Sequence, residues 1–63
     1  MKVEFIEFHT ALSKETVSRT NIAHIEKWMN GVKITLHTKD EKGKDKIIIA
    51  NDNYEVIIAL LNQ

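Results

Sequence analysis

Two histidines, His24 and His37, lie at equal distances on either side of Asn30-Gly31. If that pair is a two-residue hairpin turn, the imidazoles face each other across two strands. With His9 or Glu26 as a third ligand they would offer zinc, nickel or copper a site. Two ligands leave such a site incomplete, and polar side chains on the wet face of a half-buried sheet account for both histidines without a metal. We therefore expect no metal and no other cofactor.

Acid–base or nucleophilic catalysis has less to work with. Asp40, Glu41 and Asp45 fall in a charged loop, and Ser13 and Ser18 have no histidine at a spacing that makes a catalytic pair. There is no cysteine, which removes thiolate nucleophiles, thiolate metal sites and disulfides together and fits a reducing compartment. The expectation is a protein that is not an enzyme. Lys39, Lys42, Lys44 and Lys46 could track a phosphate backbone, with Arg19 and Lys33 adding charge and Trp28 and Tyr54 stacking on bases. Asp40, Glu41 and Asp45 interleave with those lysines and cancel most of the local charge, where a binding footprint shows a basic excess. Single-stranded nucleic-acid binding through this hairpin is thus the alternative reading.

Composition sets further bounds. The 63 residues allow one small α+β domain, residues 1–63, with one thin core. A chain this short buries only about 60% of its unfolded surface, and without disulfides or a metal the remaining reinforcement is a partner subunit. Nine basic and nine acidic residues balance, so no net field draws nucleic acid or an anionic membrane. The first residues, with Glu4 and Glu7 inside an apolar stretch, lack signal-peptide character, and no apolar run approaches the ~20 residues of a membrane span. A cytoplasmic location is expected, with no membrane partner.

The elements that would position these residues follow from periodicity. Lys2 to Thr10 reads as a strand with imperfect alternation: Val3 and Phe5 share one face, Ile6 and Phe8 the other. That pattern requires either cover on both faces or a bulge near Phe5. Ala11 to Glu15 is a solvated connection, and Thr16 to Thr20 a second strand with Val17 inward. Asn21 to His24 forms a corner. From His24 the period is two, and Asn30-Gly31 is the strongest short hairpin signal, because both turn positions need positive φ. The implied register sets Met29 opposite Val32, Trp28 opposite Lys33, Ile25 opposite Leu36 and His24 opposite His37. Ile25, Met29, Val32, Ile34 and Leu36 then make the core face, with Lys27 as the exception. His24, Glu26, Trp28, Lys33, Thr35 and His37 make the outer one.

After the charged stretch Lys39 to Lys46, a strand runs from Lys46 to Ala50. With Ile47 and Ile49 on the core face, Ile48 falls on the outer face near Thr35 and Trp28. Asp52 and Glu55 have capping-box spacing for a helix reaching about Leu61, with Tyr54, Ile57, Ile58 and Leu61 as its apolar stripe. The expected fold is α+β: a four-stranded, mainly antiparallel β-meander with one C-terminal helix packed on Val32, Ile34, Leu36, Ile47 and Ile49, in the order β-β-β-β-α. The outer face then carries the functional reading. A tryptophan ring left wet forgoes something like 2–3 kcal/mol of burial, and tryptophan is over-represented at interface hot spots. Trp28, Ile48, His24, His37 and Thr35 are the expected contact residues of a non-catalytic interaction module, binding a second copy of itself as a homodimer or another protein.

From Asn21 onward the chain resembles a known pattern. Asn21, Ile22, His24-Ile25 and Glu26, then Asn30-Gly31, Ile34 and Leu36, an Ile-rich strand, and Tyr54-Glu55-Val56 with Leu60-Leu61 resemble the short bacterial flagellar proteins of the FlbD/SwrD type. They are equally similar to sixty-residue bacterial and phage proteins with the same meander and closing helix. The resemblance implies a non-enzymatic, accessory role in motility and no catalytic residues. The chain departs from that pattern at Leu12-Ser13-Lys14-Glu15, where a glycine turn is expected, and in its longer, charged loop after the third strand.

Overall fold

The computed structural model describes residues 4–62. Their order is β1 (Phe5–His9), β2 (Lys14–Ser18), a single 3-10 turn (Arg19–Asn21), β3 (Ile22–Trp28), β4 (Gly31–Lys39), β5 (Asp45–Ala50) and α1 (Tyr54–Leu61). The α+β class holds and every strand pair is antiparallel. The four-stranded meander does not: five strands form two sheets, β1-β2 and β3-β4-β5. The break falls at the 3-10 turn, whose helical backbone ends the β1-β2 ladder and redirects the chain before β3 begins.

β1 pairs with β2 without a bulge, from Phe5↔Ser18 to His9↔Lys14. Ile6 and Phe8 therefore point inward and are buried, while Phe5 stays exposed; Val3 lies outside the described residues. The connection between β1 and β2 is closed by a side chain. The Thr10 hydroxyl accepts the amides of Leu12 and Ser13 at 3.3 and 3.0 Å and donates to the Ser13 carbonyl at 2.9 Å, a local turn closure available to threonine.

The core lies between the two sheets and the helix. Ile6, Phe8 and Val17 come from the first sheet, Val32, Ile34, Leu36, Ile48 and Ala50 from the second, and Ile57 from α1. Ile22, Ile25, Tyr54, Leu60 and Leu61 pack around it.

Three local expectations need correction. The hairpin turn is Met29-Asn30, because Trp28 pairs with Gly31. Gly31 is needed elsewhere: a Cβ on it would sit 1.9 Å from the Ala50 carbonyl oxygen. That close approach of β4 to β5 draws the glycine out of the turn and leaves Met29 at φ +48°. The register thus slips by two residues, which preserves the faces of the residues that stay paired, but Met29, expected on the core face opposite Val32, leaves the ladder for the turn and is exposed. Ile25 pairs with Ile34, and His24 with Thr35 rather than His37.

The phase of β5 is the opposite of that expected. Ile48 and Ala50 are buried, and Ile47 and Ile49 are exposed. Three consecutive isoleucines give alternation nothing to decide on; the strand ends decide, through Lys39↔Asp45 at one and Val32↔Ala50 at the other. Lastly, α1 is capped by Asn53, whose side chain accepts the Val56 amide at 3.2 Å, and not by Asp52.

Candidate interaction surface

The outer face of β3-β4-β5 is built from alternate residues of each strand. Across it run Glu26↔Lys33↔Ile49 and His24↔Thr35↔Ile47, with Trp28 beside Gly31 at the end of the sheet. Trp28 is 38% exposed, Ile47 50% and Ile49 47%. Lys33 lies along this face with its ammonium 4.8 Å from the Trp28 ring centroid and 3.6 Å from Glu26. Its stem covers apolar surface while its head group keeps a carboxylate and a ring face, an arrangement suited to amphipathic side chains.

Of the residues expected on this face, Trp28, Thr35 and His24 are brought together; Ile48 is not. It sits in the core at 4% exposure and cannot contact a partner, and its neighbours Ile47 and Ile49 take its place. The signal that could have found them is Ala50: a small residue fits the crowded interior opposite Val32, and placing it inward turns Ile47 and Ile49 outward. His37 is exposed further along β4 and does not pair with His24. Among the described residues no group of three or more His, Cys, Asp or Glu side chains is arranged to hold a metal ion.

At the Trp28 end of the face, a shallow depression of about 200 Å³ is lined by Trp28, Met29, Asn30, Gly31, Ile49, Ala50 and Asn51. Met29, at the hairpin tip, forms part of its wall.

The lysine hairpin lies at the other end of β4, so the sheet separates it from Trp28. Its backbone is organised by Asp40, whose carboxylate accepts the amides of Lys42 and Lys44 at 2.8 and 3.0 Å. Gly43 supplies the positive φ of +79° that the tip requires. Lys39 is paired with Asp45. Tyr54 is half-buried against the core and is not part of this surface. Amides that might have faced a phosphate are therefore already bonded to an internal carboxylate.

Comparison with protein-family models, curated proteins and solved structures finds no match for this chain. Its surfaces have to be read from their own chemistry.

One polar cluster had no signal in the sequence. Asp52 accepts the His9 amide at 2.7 Å and lies 2.7 Å from His9 Nδ1, while Asn51 donates its amide to the His9 carbonyl at 2.7 Å. These bonds tie β1 to the β5–α1 junction across 43 positions of sequence. A carboxylate holding an imidazole is also part of a general-base arrangement. Here the second nitrogen, Nε2, faces Glu7 at 3.3 Å, so a carboxylate stands where a nucleophile would be. The cluster is a tether between the sheets. No helix among the described residues is long and apolar enough to cross a membrane.

Proposed function

We propose that this chain is a non-catalytic interaction module that self-associates through the outer face of β3-β4-β5. The observation that carries the reading is the row of half-exposed Trp28, Ile47 and Ile49 on one face, which no element of the chain covers among the described residues. Met29 adds to the same surface at 86% exposure. Together these four side chains present roughly 450 Å² per copy, so a two-fold pair hides on the order of 900 Å² before its polar rim is counted. That is below the roughly 1,200–2,000 Å² of stable specific interfaces and in the range of weak, transient contacts, which fits a reversible dimer. An accessory role in motility, as the family resemblance implies, is one that a non-catalytic module of this kind could fill.

Sedimentation equilibrium tests the proposal. The parent should show a monomer–dimer equilibrium in the micromolar range, and Trp28→Ser should shift it to monomer, since loss of an interface tryptophan costs about 2 kcal/mol or more. A parent that stays monomeric up to about 1 mM, beyond which association has little meaning, refutes it.

A further inference from the structure

Hydrogen-bond parity decides which way each strand of the larger sheet aims its backbone. Trp28 and Gly31 flank a two-residue turn, so that pair exchanges its hydrogen bonds, and the pairs along an antiparallel ladder then alternate. Gly31, Lys33 and Thr35 bond to β3, which leaves Val32 and Ile34 to bond to Ala50 and Ile48 of β5. Ile47 and Ile49 therefore aim their N–H and C=O groups out of the sheet, where β5 is the last strand. Asn51 follows the same parity, and its amide meets the His9 carbonyl at 2.7 Å. Among the described residues no hydrogen bond reaches the outward groups of Ile47 or Ile49.

The two edges of this sheet are built differently. β3 carries features that discourage strand addition: a register shift between Ile22 and His24, and Lys27 on its core-facing side, paired with Glu55 at 3.8 Å. β5 has neither. From Ile47 to Ala50 it is uncharged and pairs regularly with β4, and Ile47 and Ile49 expose apolar side chains beside the open backbone groups. We propose that the β5 edge is a strand-addition site that takes an extended, uncharged segment of another protein, hydrogen-bonded to Ile47 and Ile49 and packed beside their side chains. Donors and acceptors in alternation are matched by an extended main chain, and apolar residues on the added strand supply the cross-strand contacts.

The edge sets the length and character of its occupant. Asn51 is already bonded to β1, and Asp45 and Lys46 begin the strand at the other end, so the open stretch holds a segment of about five residues. A second copy of β5 is a poor match. In antiparallel pairing about a two-fold axis the outward residues must meet each other. Setting Ile47 against Ile49 of the second copy carries that copy's Asp45 to Asn51, where β1 stands. Setting Ile47 against its own counterpart lays Lys46 against Ile48 and Asp45 against Ile49. A segment of uncharged, β-branched residues avoids both conflicts. This site goes beyond self-association through the sheet face, because main-chain bonds in the plane of the sheet recognise its occupant.

Fluorescence anisotropy tests the site, with the full-length chain raised to about 1 mM against an end-capped, fluorescein-labelled peptide of alternating valine and threonine. Two N-methylated versions of the peptide keep every side chain: one blocks the valine amides, the other the threonine amides. Only one side of an added strand meets the edge, so one version should lose at least about fivefold in affinity while the other stays within about twofold of the unmodified peptide. Amide exchange locates the contact. Bound peptide should slow exchange at Ile47 and Ile49, whereas Ile48 and Ala50, already bonded to β4, should be slow with or without it. No binding at about 1 mM, equal loss from both N-methylated peptides, or binding that leaves Ile47 and Ile49 exchanging freely overturns the site. Protection of those two amides that grows with the protein's own concentration, without peptide, assigns the edge to a second copy and overturns the occupant proposed.

Discussion

Replacing Gly31 with alanine tests the backbone geometry on which both turn and face depend. The new Cβ would lie 1.9 Å from the Ala50 carbonyl oxygen, 3.0 Å from its carbon and 3.1 Å from Asn51 Cα. All three are backbone atoms, so no rotamer change relieves the contact; β4 and β5 must part by more than 1 Å to reach ordinary van der Waals separation. That movement loosens the Val32↔Ala50 pair, whose members are both fully buried. Overpacking of this kind costs about 1–3 kcal/mol. The gain from removing glycine's unfolded-state freedom returns only about 0.5–1 kcal/mol. A net loss of about 1–2 kcal/mol is expected, a sizeable share of the roughly 3–9 kcal/mol available to a chain of this size. Urea denaturation followed by Trp28 fluorescence should show a lower midpoint with an unchanged slope. Met29→Gly supplies the contrasting arm, with a gain of about 1 kcal/mol because it removes a side chain from the left-handed region. If Gly31→Ala leaves the midpoint unmoved, or if Met29→Gly destabilises, then Gly31 is not held against β5, the turn is Asn30-Gly31, and the slipped register is wrong.

Neighbouring residues before the helix should fail in different ways. Asn53→Ala removes the cap and should cost about 1 kcal/mol, seen as faster exchange of the Val56 amide. Asp52→Ala should instead release β1 by leaving the His9 amide without its acceptor, at about 1–3 kcal/mol, with faster exchange at His9 and no change at Val56. A fluorescent single-stranded oligonucleotide should show no saturable binding at low salt, because Asp40, Glu41 and Asp45 offset the tip lysines. Saturable binding that weakens with salt, and whose salt slope falls in a Lys42→Gln/Lys44→Gln variant, would establish the nucleic-acid alternative instead.

Elements with a clear period were legible in the sequence. Val17 lies between polar neighbours, and the apolar stripe of α1 repeats at helical spacing, so their inward faces follow from pattern alone, whereas Phe5 beside Ile6 left the phase of β1 open until its pairing with β2 decided it. The slipped hairpin was not legible, because Asn30-Gly31 is a sound turn signal and the competing demand on Gly31 comes from Ala50, nineteen positions later. Even so, the error preserved the faces of β3 and β4, since a slip of two leaves a period of two intact. The phase of β5 had no such protection. Ile47, Ile48 and Ile49 are alike to any pattern, and a one-residue error there exchanged a core residue for two surface ones. The His9–Asp52 tether joins distant positions, and the local spacing of Asp52 to Glu55 pointed to capping. A carboxylate before a helix can serve either purpose, and only the arrival of β1 decides between them.

The exposed face is a consequence of how few covering elements so short a chain can supply. A three-stranded sheet has two faces, and β1-β2 together with α1 are spent on one of them. The strands nevertheless carry apolar residues on both sides, and Ile47, Ile49 and Trp28 are those left without an interior. A sequence under selection only for a monomer would relieve this cheaply, with threonine or lysine at 47 and 49 and glycine or asparagine at 29. None of these changes would disturb the buried row of Val32, Ile34, Ile48 and Ala50. Retaining large apolar groups at all three positions, one of them on a strained backbone, has a physical rationale when a second surface removes them from water. Association would then complete the second layer that the chain is too short to provide.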